Sequence, residues 1–253
     1  MTLDVTIDDF LSGAIKVTQP CVGYRAGVDP ILLAASIPAK FGQIALELGC
    51  GVGTASLALA HRVAGLHITG VEVQALYCDL AQHNAKLNNL PISVVRADLS
   101  DLPSDVRDQQ FDHVFANPPY FDRKSSTCSD DTGRDRAMGE SDELSMWLTV
   151  AAKRLKPKGY AHFIFRTERM DEFLQLLPES LGSRVITPIV PRQGRQSNLF
   201  LAHARKNGRA AFRLESPLIV HTGDVHHQDC EDYSQKISKV LRDGDALTDW
   251  FRA

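Results

Sequence analysis

Four consecutive residues, Asn117-Pro118-Pro119-Tyr120, carry the sharpest chemical signal in the sequence. Each proline fixes φ and lacks an N–H, so the backbone after Asn117 is stiff and offers acceptors rather than donors. The Asn117 amide oxygen and the Pro118 carbonyl can converge on one point, with the Tyr120 ring beside it. Converging acceptors next to an aromatic face suit a planar –NH2 group whose lone pair is delocalised. Accepting both hydrogens in a geometry nearer tetrahedral draws that lone pair out of conjugation. The benefit is largest in the transition state, as the nitrogen becomes cationic. No general base is strictly required, because the proton turns acidic only after transfer. The plain alternative is a proline turn ending a strand.

Upstream lies Glu47-Leu48-Gly49-Cys50-Gly51-Val52-Gly53. Glycines between a strand and a helix let a ligand approach backbone N–H groups where a Cβ would collide. The spacing is G-x-G-x-G, not the dinucleotide G-x-G-x-x-G, and no G-K-S/T follows, which excludes a Walker phosphate loop. The alternative is a tight turn without a ligand. Glu72 stands about 20 residues further on, where an acid can accept from the two hydroxyls of a ribose; otherwise it is a solvated strand-end carboxylate. Asp98 adds a second acid at the same edge, for an adenine amine or the adjacent backbone, or simply as the turn-former of Ala-Asp-Leu-Ser.

These residues need a scaffold that brings them to one edge. Short apolar runs at 44–48, 68–71, 92–96, 112–116 and 160–166 read as strands. Helical patterns fall at 54–62, 74–87, 144–155 and 168–177. Such alternation implies a mostly parallel twisted sheet with helices on both faces. Runs at 184–190 and 197–204 are joined too briefly for a crossover helix and predict an antiparallel hairpin at the sheet's end. Lys156-Pro157-Lys158-Gly159 reads as a turn. Residues 1–43 form an N-terminal extension with an apolar helix-like run at 31–37, and residues 121–142 a long polar loop of the kind used as a lid. The division expected is 1–43, an extension closing a cofactor pocket; 44–205, the main domain; and 206–253, a C-terminal extension packed on it.

The chain has 253 residues, 43% hydrophobic and 23% charged, with a formal charge of −3. That excludes collagen-like, coiled-coil and disordered classes and a globally basic nucleic-acid coat. The five cysteines have no C-x-x-C spacing, which fits reduced thiols rather than a disulfide framework. The acidic N-terminus is no signal peptide and no apolar run is long enough to span a bilayer, so a cytoplasmic protein is expected.

Together, E-L-G-C-G-V-G, the acid of V-E-V, the A-D-L after the third strand and N-P-P-Y resemble the class I S-adenosylmethionine-dependent methyltransferases, in the branch that methylates amino nitrogens. Gly23, Tyr24, Arg25, Asp29, Leu32, Leu33 and Ala34 are similar to the G-[YF]-R-x-x-x-D-x-x-L-L-A block of the bacterial tRNA(Val) adenine-N6 methyltransferase family, and the likeness runs over about residues 23–201. The resemblance implies a Rossmann-like fold, S-adenosylmethionine as cofactor with S-adenosylhomocysteine as product, and tRNA or another structured RNA as partner. It implies that Gly49, Cys50, Gly51 and Gly53 line the methionine part of the cofactor and that Glu72 takes the ribose. Val73, Asp98 and Leu99 would border the adenine, and Tyr24, Arg25 and Asp29 would close the pocket. Asn117, with Pro118, Pro119 and Tyr120, would form the catalytic edge and also touch the cofactor.

Seven basic residues fall between Arg184 and Arg213, with no acid among them. With Arg123 and Lys124 they suggest a phosphate-binding face in which Arg192 and Arg195 contact RNA; the alternative is a solvated surface, or pairing with the acidic tail from Asp224. His221, His226, His227 and Cys230 lack a standard metal spacing, and no metal is expected. Trp147 reads as core. The alternative functions are a protein glutamine N5-methyltransferase, against which the short N-terminal extension argues, and a non-catalytic cofactor-binding module, which has no use for converged acceptors.

Overall fold

The computed structural model describes residues 4–119, 133–223 and 232–251, with residues 133–142 as helical backbone only. The described strands are β1 (Val5–Phe10), β2 (Ile15–Pro20), β3 (Ile44–Leu48), β4 (His67–Glu72), β5 (Ile92–Arg96), β6 (Phe111–Ala116), β7 (Leu155–Arg166), β8 (Leu181–Val190), β9 (Leu199–Lys206), β10 (Arg213–Leu214) and β11 (Leu218–Ile219). The helices are α1 (Asp29–Ser36), α2 (Thr54–Arg62), α3 (Ala75–Leu87), α4 (Ser104–Arg107), α5 (Gly133–Arg154), α6 (Met170–Leu176) and α7 (Gln235–Asp243).

The main sheet runs β10-β8-β9-β7-β6-β3-β4-β5, with β11 also on β8. The pairs β3–β4, β4–β5, β3–β6 and β6–β7 are parallel, and β9 runs against both β7 and β8. The hairpin expected at the end of the sheet is therefore present, with its second strand on the inside. Alternation along β3 sends Ala45 to one core and Leu46 and Leu48 to the other. On one face α1, α2 and α7 pack around Leu33, Leu59 and Ile237; on the other, α4, α5 and α6 pack around Phe111, Leu148 and Phe173. The residues after 206 return to the same sheet through β10 and β11.

Three expectations need correction. The N-terminal extension holds an antiparallel hairpin, β1–β2, which the sequence reading passed over because its exposed strand lacks a clean apolar alternation. Helix α5 begins at Gly133, inside the stretch expected to be a polar loop, and its first turns carry too few apolar residues to show a helical stripe. Lys156–Gly159 does not end an element. Leu155 pairs with Phe111 and Tyr160 with His113, so the four residues between form an excursion within one strand, with Lys158 at φ 69.

The sheet buries three imidazoles in a row. His113 Nδ1 lies 3.0 Å from His162 Nε2, and His162 Nδ1 lies 2.9 Å from His203 Nδ1. His113 Nε2 meets Gln43 Oε1 at 3.1 Å. At the far end the Trp250 ring stacks on His203 at 3.8 Å, and its indole N–H donates to Ser36 O, which fastens the C-terminal segment to α1. Among the described residues, no helix is long and apolar enough to cross a membrane.

Candidate active site

The glycine turn leaves β3 with Gly49 at φ 59 and Gly51 at φ 54, left-handed values that favour glycine. A Cβ on Gly49 would sit 2.2 Å from the Trp147 ring, and one on Gly51 would sit 3.5 Å from the Tyr24 ring. The turn is thus pressed between two aromatics. Gly51 N donates to Glu72 Oε2 at 2.9 Å and Gln74 N to Glu72 Oε1 at 2.8 Å. Each carboxylate oxygen has a backbone donor that orients it and lone-pair capacity left for a ligand. Beneath the turn Glu47 is buried and accepts from Ser56 N and Oγ. Burial pushes its carboxyl up to about 8, with the charge of Glu72 adding to the effect. Burial thus favours the neutral carboxyl of Glu47 near neutral pH.

The N-terminal hairpin places Tyr24. Buried Asn84 on α3 accepts from Thr18 N at 2.8 Å and donates to Thr18 O and Val52 O, both at 3.0 Å, so one amide ties hairpin and glycine turn to the same helix. Arg25 donates to Thr6 Oγ1, Pro20 O and Asp8 Oδ2. Gln19 Oε1 accepts from Ala26 N at 2.7 Å. Tyr77 Oη accepts from Tyr24 N at 2.9 Å, and the Tyr24 hydroxyl is hydrogen-bonded to the Asn117 side chain. Desolvation, with Glu47 and Asp29 nearby, pushes that hydroxyl up to about 12. Two expected wall residues thus lie elsewhere. Arg25 staples the segment to the hairpin, and Asp29 opens α1; neither lines the cavity.

Leu48 and Ala116 are register partners on neighbouring parallel strands, so Gly49 and Asn117 leave the sheet side by side. They share a cavity of about 600 Å³ whose wall includes Tyr24, Cys50, Glu72, Val73, Leu99 and Asn117. Asp98 also reaches the wall while forming its turn: Oδ1 accepts from Ser100 N at 2.8 Å and Ser100 Oγ at 2.7 Å, bonds that hold its carboxyl below the usual range. Gly53 is not on the wall; at φ 87 it starts α2 from behind the turn. Pro118 and Pro119 line the mouth, whereas Tyr120, Arg123 and Lys124 lie outside the described residues. The sequence reading missed Glu47, Tyr77 and Arg166 as wall residues, and Trp147 is a wall rather than only core. Glu47 carried a signal, an acid in the middle of an apolar strand. Arg166 carried none until the register of β7 was known.

The basic stretch is largely internal bonding. Arg192 donates to Thr222 O and Asp232 Oδ2, and its side chain is only 12% exposed. His221 Nδ1 meets Asp232 Oδ1 at 2.6 Å. Arg184 donates to Leu181 O and Leu177 O, Lys206 to Ala152 O, and Arg213 to Trp250 O. These long side chains satisfy carbonyls that the sheet and helix ends leave over. Arg195 and Arg209 are exposed.

The methyltransferase small domain family matches residues 17–133. The tRNA1(Val) (adenine(37)-N6)-methyltransferase of Shewanella baltica (strain OS185) is 30% identical over 231 residues, which cover 87% of this chain and 92% of that one. The chain belongs to that family. It is an S-adenosylmethionine-dependent methyltransferase. The same-named enzyme of Shewanella loihica is 31% identical over 77% of this chain and 83% of its own. Among solved structures, a predicted O-methyltransferase from Agrobacterium tumefaciens superposes with TM-score 0.70 at 23% identity, covering 87% of this chain and 98% of its own. The 16S rRNA N2 G1207 methyltransferase of Thermus thermophilus gives 0.56 at 18%, covering 81% and 51%. These likenesses show the Rossmann-like fold. The cofactor fits what the methyltransferase presents: a glycine cradle that a Cβ would fill, an oriented carboxylate at the end of β4, and a cavity of suitable size.

Proposed function

We propose that this methyltransferase transfers a methyl group to the N6 amine of an adenine in tRNA, with Asn117 and Pro118 receiving the amine. The observation that carries the reading is the register of β3 with β6, which sets the amide acceptor beside the glycine cradle in one cavity. The curated relatives, named for adenine N6 in a valine tRNA, support the choice of base and RNA.

When bound, S-adenosylmethionine supplies an electrophilic methyl group on a sulfonium centre. Glu72, aimed by Gly51 and Gln74, accepts the ribose hydroxyls. Val73 and Leu99 flank the adenine of the cofactor, Asp98 borders it, and the bare backbone of Gly49 and Gly51 allows the methionine part to approach. Glu47, favoured in its neutral form by burial, supports the turn and limits the charge against Glu72. The Tyr24 hydroxyl holds the Asn117 amide through Nδ2, so that Oδ1 faces the incoming amine. Oδ1 and the Pro118 carbonyl then accept its two hydrogens, and their field strengthens as the nitrogen gains positive charge. Because a base in a stem or stacked loop cannot reach this pocket, the nucleotide must turn out of its stack. Trp147, Pro118 and Pro119 limit water at the mouth.

Transfer of labelled methyl groups from S-adenosylmethionine to total tRNA, followed by nucleoside analysis, tests this reading. The expected product is N6-methyladenosine. Label in protein rather than RNA, or in another nucleoside, would overturn it.

A further inference from the structure

The cavity wall is electrically divided. Glu72 and Asp98 stand at or just beyond the ends of β4 and β5, whereas Glu143 reaches the wall from α5, the helix packed on β6 and β7. Arg166 is the one cation among the described wall residues, and the sheet order sets it across β6 and β3 from Glu72 and Asp98. It closes β7, the strand beside β6. Since Ala116 pairs with Phe163 in parallel register, Arg166 is three residues on, level with Pro119. Adjacent strands are about 4.8 Å apart, so the guanidinium belongs to the substrate edge and not to the ribose edge. Its ion pair with Glu168, one of its interactions, is long at 3.9 Å, and Glu168 is 70% exposed, so water screens that pair.

We propose that Arg166 is a phosphate subsite, which takes the backbone phosphate flanking the target nucleotide once that nucleotide has turned out of its stack. The proposal rests on the RNA reading above. Its logic is one of charge. A turned-out nucleotide must bring a phosphate near the mouth, and at the described wall only Arg166 offers a cation there, in the planar geometry that binds two phosphate oxygens at once. Glu72 and Asp98 repel the backbone, so among the described residues the phosphate is favoured on the Arg166 side. The substrate is thereby held in one orientation, with its base toward Asn117. The same guanidinium could instead meet the carboxylate of the cofactor's methionine part, a second oxyanion source, and the test separates the two.

The measurement is steady-state methyl transfer at saturating cofactor, with the tRNA fragment that the wild-type enzyme methylates. Arg166→Gln should raise KM for RNA about 10- to 100-fold, the loss of one charge-assisted pair, with kcat changed far less. Affinity for S-adenosylhomocysteine by calorimetry should stay at the wild-type value, and Arg166→Lys should recover only part of the RNA affinity. A fragment with a single neutral methylphosphonate beside the target adenosine should impair the wild-type enzyme to a similar extent and impair Arg166→Gln no further. That second arm uses wild-type protein and does not depend on the variant folding. Weakened S-adenosylhomocysteine binding with unchanged RNA KM would assign Arg166 to the cofactor and overturn the subsite, as would additive losses from variant and methylphosphonate. If the wild-type enzyme methylates no RNA, the substrate reading itself has failed and the subsite falls with it. If it methylates RNA and Arg166→Gln behaves as wild type, only the subsite has failed.

Discussion

Acidification should destabilise this methyltransferase through its buried imidazoles, and the hydrogen-bond row fixes how. Gln43 Oε1 already accepts from Lys40 N, so His113 must donate to it from Nε2 and accept at Nδ1. His162 then donates from Nε2 and accepts at Nδ1, and His203 donates from Nδ1. His203 Nε2 is left as a buried acceptor without a hydrogen-bond partner. All three rings are neutral. Burial pushes His113 down to about 4 and His203 down to about 3, and takes His162 well below its ordinary value. The neighbouring charges do not reverse this: Asp112 pulls His113 up and Arg62 pushes it down, both less than burial does. Arg205, over the Tyr160 ring beside His162, adds a further cation. Because the unfolded chain binds protons at about 6.5 and the folded chain does not, the stabilisation is complete above that pH and is lost as pH falls toward the folded values. From about pH 7 to pH 5.5 each imidazole contributes a loss of about 1 kcal/mol, or about 3 to 4 kcal/mol for three. Glu47, raised to about 8, works in the opposite sense. It binds its proton in the folded state first and returns about 2 kcal/mol over the same interval. The net expectation is a loss of about 2 kcal/mol in urea unfolding free energy. His203→Phe keeps a ring against Trp250 and removes one titrating group, so its loss should be smaller by about 1 kcal/mol, with Glu47 and the surface carboxylates cancelling in the comparison. Equal pH sensitivity in the two proteins would refute the reasoning.

Three other perturbations address the site. Glu72→Gln should weaken S-adenosylhomocysteine binding about 10- to 100-fold in calorimetry, because a charged acceptor of two ribose hydroxyls becomes neutral; unchanged affinity would remove Glu72 from the site. Tyr24→Phe should lower kcat about 2- to 10-fold, the loss of one neutral hydrogen bond to Asn117, with little change in cofactor affinity; an unchanged kcat would mean the amide is held by other groups. Asn84→Leu should lower unfolding free energy by about 3 kcal/mol, since three buried backbone groups lose their partner, and should loosen cofactor binding through Tyr24; urea unfolding and calorimetry check both effects.

The residues that converge on the cavity from strand ends were legible in the sequence, because a glycine turn, Glu72 and Asn117 each follow an apolar run whose length and spacing announce a parallel strand. The resemblance added the cofactor and the kind of base. What escaped the reading depends on contacts distant in sequence. Asn84 looks like any helix polar residue until the hairpin lies against it. Arg25 matches a family block, yet its bonds go to Thr6 and Asp8 rather than to a ligand. The row of imidazoles is spread over residues 113, 162 and 203 and becomes a row only through the pairing of β6, β7 and β9. The basic run misled for the same reason: a list of charges does not show that Arg192 already has Asp232 and Thr222 as partners.

The central claim is that Asn117 acts on the amine in the transition state, and the single-turnover rate of Asn117→Ala with saturating cofactor and tRNA tests it most directly. Loss of a preorganised acceptor should reduce the rate of N6-methyladenosine formation about 10²- to 10³-fold, while S-adenosylhomocysteine and tRNA bind nearly as before. A variant that transfers methyl groups at the wild-type rate would show that Asn-Pro-Pro is only a turn here and would contradict the account.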